Sequence, residues 1–211
     1  MSSTPEVLLA RSGEDIRRWG WQPRLKSYCD SVGEMLARSV AEEGILGFRT
    51  APTVEEVAGF CADLEHRLAG GAGHLLLGED DAGIVGMCIV NVETMPNSRH
   101  IAEVSKAYLE PRVRRTTAIA ELAMAVCRRM REQHVDTLRI DVRENTPAHQ
   151  VWQRFGFTTY GILDDYSRVN GVRHRGHFMT HSVDRLQEFV EERLWRAAVT
   201  MEKNTGSTEV L

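Results

Sequence analysis

The sequence predicts a single mixed α/β domain, a mostly antiparallel sheet flanked by helices, on three observations. β-rich runs alternate with segments of helical period between residues 74 and 181. Two turn signals, Glu79-Asp80-Asp81-Ala82-Gly83 and Asn170-Gly171, join neighbouring runs into hairpins. A chain of 211 residues with 42% apolar content fills one core rather than two.

Taken in order, Leu25, Tyr28, Val32, Leu36 and Val40 step by three and four, which predicts a first amphipathic helix. After a break at 44–52, Thr53-Val54-Glu55-Glu56 is a capping box that opens a second helix on Val57, Cys61, Leu64 and Leu68, stopped by Gly70, Gly71 and Gly73. Strands follow at 74–77, 84–92 and 101–109. Ile119, Leu122, Val126 and Met130 then mark one face of a third helix starting near Thr117, and its late arginines suit the negative end of its dipole. Leu138, Ile140 and Val142 alternate with Arg139, Asp141 and Arg143 as a strand. Thr146 caps a short helix with Pro147 at its first position, and Gly156 ends it. A hairpin over 157–169 and 172–181 precedes an amphipathic helix at 183–200 and a polar tail at 201–211. Residues 1–182 are thus read as the domain proper. The last helix is free to pack on its own domain or on a second subunit.

The net charge of −4 and the interleaving of arginines with acids give no nucleic-acid footprint. No apolar stretch approaches the roughly 18 residues that span a bilayer, and no secretory leader is read at Met1, so a cytoplasmic protein without membrane contact is expected. Cys29, Cys61, Cys88 and Cys127 lack CxxC spacing and sit in apolar patterns, which predicts reduced, buried thiols without zinc or disulfide. His174 and His177 should point to opposite faces of one strand, so no metal is expected there.

The segment from Pro96 to Lys106, the stretch from Leu109 to Ile119, and Asn145, Ala148 and the run from Trp152 to Phe157 together resemble the GNAT N-acetyltransferase superfamily over roughly residues 84–179. A narrower likeness is to bacterial small-molecule acetyltransferases such as those of tabtoxin resistance. The resemblance implies a sheet split between the family's fourth and fifth strands, near Leu109, with acetyl-CoA in the split. The pantetheine arm would pair with the backbone of Tyr108 and Leu109, with Asn145 near the far side of the gap. A Leu109 amide would serve the developing oxyanion. The pyrophosphate would meet Arg114, Arg115, Thr116, Thr117, Ala118 and Ile119, since the first amides of a helix lack internal partners and carry its positive dipole end.

The sequence departs from the family pattern twice. Ungapped from Pro111, the family's loop glycines fall on Thr117 and Ile119. Either the loop stays right-handed, with threonine hydroxyls and Arg115 adding contacts, or a one-residue shift puts Ala118 and Ala120 in the glycine places. Trp152 stands where many members carry a tyrosine that protonates the leaving thiolate. Indole cannot supply that proton, so Trp152 enters the site as a packing surface for the core or the pantetheine arm; a thiol of pKa about 8.5 leaves tolerably without an acid.

Attack on a thioester needs an amine without its extra proton. By resemblance Glu103 is the candidate base, working through water, with a solvated strand residue as the bland alternative. His100 titrates in the right range but precedes the strand. Lys106, three positions from Glu103, would face the other way unless a bulge intervenes, and it is given no catalytic role. Asp164, Asp165 and Tyr166 are candidates for an acceptor pocket beside residues 44–50. The expected activity is acetyl transfer to a primary amine of a small molecule. The rivals are a catalytically silent member of the fold and an acyltransferase fed by an acyl carrier protein docking on Arg114 and Arg115; a homodimer is open as well.

Overall fold

Arg17, Trp19 and Trp21 alternate on one side of a strand that the helical and β-rich patterns farther along do not announce. The computed structural model describes residues 8–12, 15–42 and 46–205 of the chain. In it β1 (Leu8–Ser12) and β2 (Asp15–Gln22) form an antiparallel hairpin at one edge of an eight-stranded sheet. Trp19 and Arg17 are both almost fully buried. An inward-facing arginine breaks the apolar alternation by which a half-buried strand is recognised.

The sheet continues through β3 (Gly73–Asp80), β4 (Gly83–Val92), β5 (Ile101–Leu109), β6 (Thr137–Arg143), β7 (Thr158–Val169) and β8 (Val172–Ser182), in the spatial order β1-β2-β3-β4-β5-β6-β8-β7. Every neighbouring pair is antiparallel except β5 with β6. The turn between β7 and β8 places Asn170 and Gly171 at φ 52° and 80°, the left-handed pair that a two-residue hairpin requires.

Five helices cover the sheet: α1 (Cys29–Ala41), α2 (Val54–Ala69), α3 (Ala118–Glu132), α4 (Pro147–Arg154) and α5 (Val183–Thr205). The central strands are apolar on both faces because each face meets a helical layer. Leu75, Leu77, Met87 and Ile89 join the core beneath α1 and α2, while Leu76, Cys88 and Val90 join the one beneath α3 and α5. The capping box of α2 forms as its sequence predicts, with Thr53 and Glu56 exchanging backbone and side-chain bonds. Thr146 likewise accepts from the His149 amide at 3.2 Å.

Some expectations need correction. Cys29 and Cys61 are joined by a disulfide with their Cα atoms 6.1 Å apart, stapling α1 to α2; only Cys88 and Cys127 are free. The spacing of 32 residues resembles no compact motif, and the pairing comes from the packing of α1 against α2. The first helix begins at Cys29 rather than Leu25, which lies ahead of a short 3-10 turn. The last helix packs on its own domain through Val183, Leu186 and Val190, with Arg131 of α3 facing Asp184 and Gln187. It runs to Thr205, beyond the boundary at 200, and residues 206–211 lie outside the described part. No helix among the described residues is long and apolar enough to cross a membrane.

Candidate active site

The parallel pairing of β5 and β6 lasts for three residues, Ile101 with Thr137, Ala102 with Leu138 and Glu103 with Arg139, and then stops. Beyond Glu103 the strands diverge. β6 stays with β8 to Arg143, while β5 stays with β4 to Leu109. The split therefore opens beyond Glu103. A cleft of about 590 Å³ occupies it, lined by β5 from Val104 to Ala107, β6 from Ile140 to Arg143, Trp152, Tyr166 and the loop 46–49.

A bulge shapes the β5 wall. Three steps along β5, from Tyr108 to Ser105, face two steps along β4, from Met87 to Ile89. Lys106 absorbs the extra residue at φ 51° and turns its side chain to the cleft, where Nζ donates to Leu46 O at 3.0 Å. Burial holds its ammonium below the ordinary lysine range. The bulge brings to the site a residue that ideal alternation sends away from Glu103.

Past the bulge, Glu110 donates its amide to Val85 O at 2.7 Å. By the alternation of an antiparallel ladder, the Leu109 N–H and C=O then face the gap. Arg114 Nε reaches that carbonyl at 2.9 Å. The Tyr108 side chain points the other way, buried under α1, where its hydroxyl donates to Glu42 at 2.8 Å. Arg114 pairs with the same Glu42, so its charge is already answered within the fold.

The loop before α3 shows the backbone geometry at the positions where the family pattern has glycines. The left-handed residue is Arg115, at φ 65°, while the N-cap Thr117 is right-handed at φ −73°. A short polar network replaces glycine. Thr116 Oγ1 donates to Val113 O at 2.7 Å and accepts from the Ala118 amide at 3.2 Å. Thr117 Oγ1 donates to Glu121 and accepts from Arg17 Nη2 at 2.9 Å. Both hydroxyls are thus spent inside the protein. Ala118 and Ala120 are buried and Ile119 packs against the core, so what the helix end leaves without an in-helix partner is backbone, the Ile119 and Ala120 amides ahead of the first in-helix bond from Glu121 to Thr117.

On the opposite wall, Tyr166 sits in a bulge where four steps of β7 face two of β8. Its ring folds over Gly176 of β8, where an added Cβ would lie 2.1 Å from the ring, and its hydroxyl donates to Asp141 on β6. Burial and the Asp141 carboxylate hold the phenol well above its ordinary pKa. Asp164 and Asp165 do not line the cleft; they pair with Arg175 and Arg168. Trp152 does line it, 8% exposed and packed edge-on to Phe157 at 5.2 Å. Asn145 lies just past β6 at φ 61°, a left-handed position that suits asparagine, with its side chain exposed.

Sequence reasoning missed Asp141 as a cleft residue and set Lys106 aside. Lys106 reaches the site through the β5 bulge, whereas Asp141 sits on the regular β6 and is recognised only once the split beside it is known. His100 is exposed and contributes its carbonyl, which accepts from Asp136 and Thr137. No cluster of three or more metal-ligating side chains occurs among the described residues.

Solved structures share this fold. A protein of Acinetobacter baylyi assigned as an acetyltransferase superposes with a TM-score of 0.68 at 16% identity, over 81% of this chain and 94% of its own. The yncA protein of Salmonella typhimurium, solved with its cofactor acetyl-CoA, gives 0.63 at 17% identity over 79% and 94%. The ribosomal-protein-alanine N-acetyltransferase of Brucella melitensis gives 0.63 at 20% identity over 77% and 98%. A search of curated proteins finds no match. The sequence model of the acetyltransferase (GNAT) family matches residues 38–157, more than half of the chain, which therefore belongs to that family.

Proposed function

We propose that the protein transfers an acetyl group from acetyl-CoA to a primary amine of a small molecule. The observation that carries this reading is the split itself: β5 and β6 part after Glu103, leaving strand backbone on one wall and a cleft between. Acetyl-CoA bound there supplies an acyl group activated as a thioester. The Leu109 N–H suits the amide-bearing pantetheine arm, its C=O being already met by Arg114, and the α3 amides that lack in-helix partners suit the pyrophosphate. Trp152 closes the cleft floor with an apolar surface. It has no acidic proton to give, so the thiolate leaves on its own modest basicity.

Glu103 is the base of this reading. It stands at the vertex of the split, and its charge is felt at both Lys106 and Tyr166 in the cleft. From there a carboxylate takes the amine proton through water as the nitrogen attacks. A carrier-protein donor finds less support, because Arg114 is engaged by Glu42. Calorimetric titration with acetyl-CoA, with dephospho-CoA and pantetheine as controls, tests the donor site. Micromolar affinity that weakens as the nucleotide is removed is the expected result. Absence of binding at millimolar concentration would overturn the proposal.

A further inference from the structure

Charge in the acceptor end of the cleft is unevenly answered. Asp141 accepts the Tyr166 hydroxyl, and Arg168 is clamped by Asp165 at 2.9 Å. Lys106 and Arg49, from β5 and the loop 46–49, both line the cleft, and among the described residues neither forms an ion pair. The Lys106 ammonium has one protein acceptor, Leu46 O, of the three it can use. Its left-handed backbone at the bulge fixes the direction in which it points.

A half-buried ammonium that makes no ion pair, with Asp141 and Glu103 acting on it only from a distance, gains from an anion that enters with the ligand. Asp141 meanwhile lines the neighbouring wall and Glu103 stands at the vertex of the split, where an ammonium is welcome. We infer that the acceptor is a small amine that also carries an anionic group, a carboxylate or its like, received by Lys106 and Arg49 while the amine lies toward Glu103 and Asp141. The inference rests on the acetyltransferase reading above and narrows it to an acceptor class.

Polyamines and other cationic acceptors are disfavoured, since they would set an ammonium against Lys106. Lys106 also has a task outside the chemistry. As an anchor for the far end of the acceptor it is a specificity residue, and removing it should raise KM for anionic acceptors much more than it lowers kcat.

The test compares amines that differ only in the anionic group: the twenty amino acids against their carboxamides, each with acetyl-CoA, in wild type and Lys106→Met. Acetylation of at least one amino acid at tenfold or greater preference over its amide, lost in Lys106→Met mainly through KM, is the expected result. Equal use of acid and amide, or turnover only of uncharged or cationic amines, would overturn it. Acetyl-CoA affinity is measured alongside in both proteins. If it is absent, the acetyltransferase reading fails separately. Cleft binding is then read directly, from amide NMR shifts on titrating N-acetylmethionine and N-acetylmethioninamide. Shifts produced by the acid alone and abolished in Lys106→Met support the anion site, and no difference between the two ligands overturns it.

Discussion

Arg17 on β2 and Glu121 in the first turn of α3, 104 residues apart in sequence, face each other in a two-point contact of 2.8 and 3.0 Å with both side chains almost wholly buried. Trp19 Nε1 adds a third donor at 3.0 Å and Thr117 a fourth. Burial alone pushes the Glu121 carboxyl up, but these donors outweigh it and hold it below the usual range. The pair ties the N-terminal hairpin to the helix whose first amides lack in-helix partners. Removing one partner strands a buried charge, so Arg17→Met should lower stability by about 3–5 kcal/mol. The double variant Arg17→Met/Glu121→Met should recover much of that loss. Urea unfolding of the three proteins measures both, and a double variant no better than the single would refute the ion-pair account.

The same network sets an expectation for Thr117. Its backbone is already right-handed, so glycine gains no dihedral freedom that the loop uses, while it removes the hydroxyl shared by Glu121 and Arg17. Thr117→Gly should therefore weaken acetyl-CoA binding and lower stability by roughly 1–3 kcal/mol, whereas Thr117→Ser should resemble wild type. Tighter binding by the glycine variant would show that the loop needs a glycine geometry after all.

Glu103→Gln keeps size and strand pairing but cannot take a proton. Turnover should fall by about 10²–10⁴ at neutral pH while acetyl-CoA affinity changes little. Steady-state rates set beside calorimetric affinities separate these effects. Unchanged turnover would leave Glu103 as an ordinary strand residue beside Arg139.

The disulfide gives a stoichiometric expectation. The native protein should show almost no reaction with an aromatic disulfide reagent, because burial pushes the Cys88 and Cys127 thiols up to about 12. Unfolded without reductant it should show two thiols, and after reduction four. Closing a loop of 32 residues makes the staple worth about 2–4 kcal/mol, which Cys29→Ser/Cys61→Ser should forfeit. Four thiols in the unreduced, unfolded chain would mean that the staple does not form.

Much of this architecture was legible because local signals agreed with the global fold. The capping box at Thr53, Pro147 behind Thr146, and Asn170-Gly171 each specify one backbone geometry, and each occurs. β5 appeared with its boundaries correct. The site was less legible for a physical reason. Glu103 and Leu109 follow from the family's strand, but Lys106 and Tyr166 reach the cleft through bulges, and a bulge inverts the side-chain alternation that a sequence reader must assume. The N-terminal hairpin was hidden because one of its inward residues is an arginine whose partner lies 104 residues away. The Cys29–Cys61 pairing needed the packing of two helices to be known first.

Two histidines, His149 buried and His74 half-buried, set an expectation for the acid limb of stability. His149 of α4 is 6% exposed, lies 4.3 Å ring to ring from His177, and has a buried Nε2 without a partner. Burial, then the neighbouring His177, depresses its pKa; burial and Arg129 do the same for His74, whose Nε2 is also unpartnered. A depressed histidine pKa means that the unfolded chain binds protons more readily than the native one. The native state is therefore unpenalised above about pH 6.5, and it loses stability as pH falls from there toward the lowered native values, before carboxylates such as Glu121 titrate. Urea midpoints measured from pH 8 to pH 5 should decline through this window, and His149→Gln should flatten the decline. A wild-type midpoint that stays level to pH 5 would mean that neither ring is held in its neutral form by the fold.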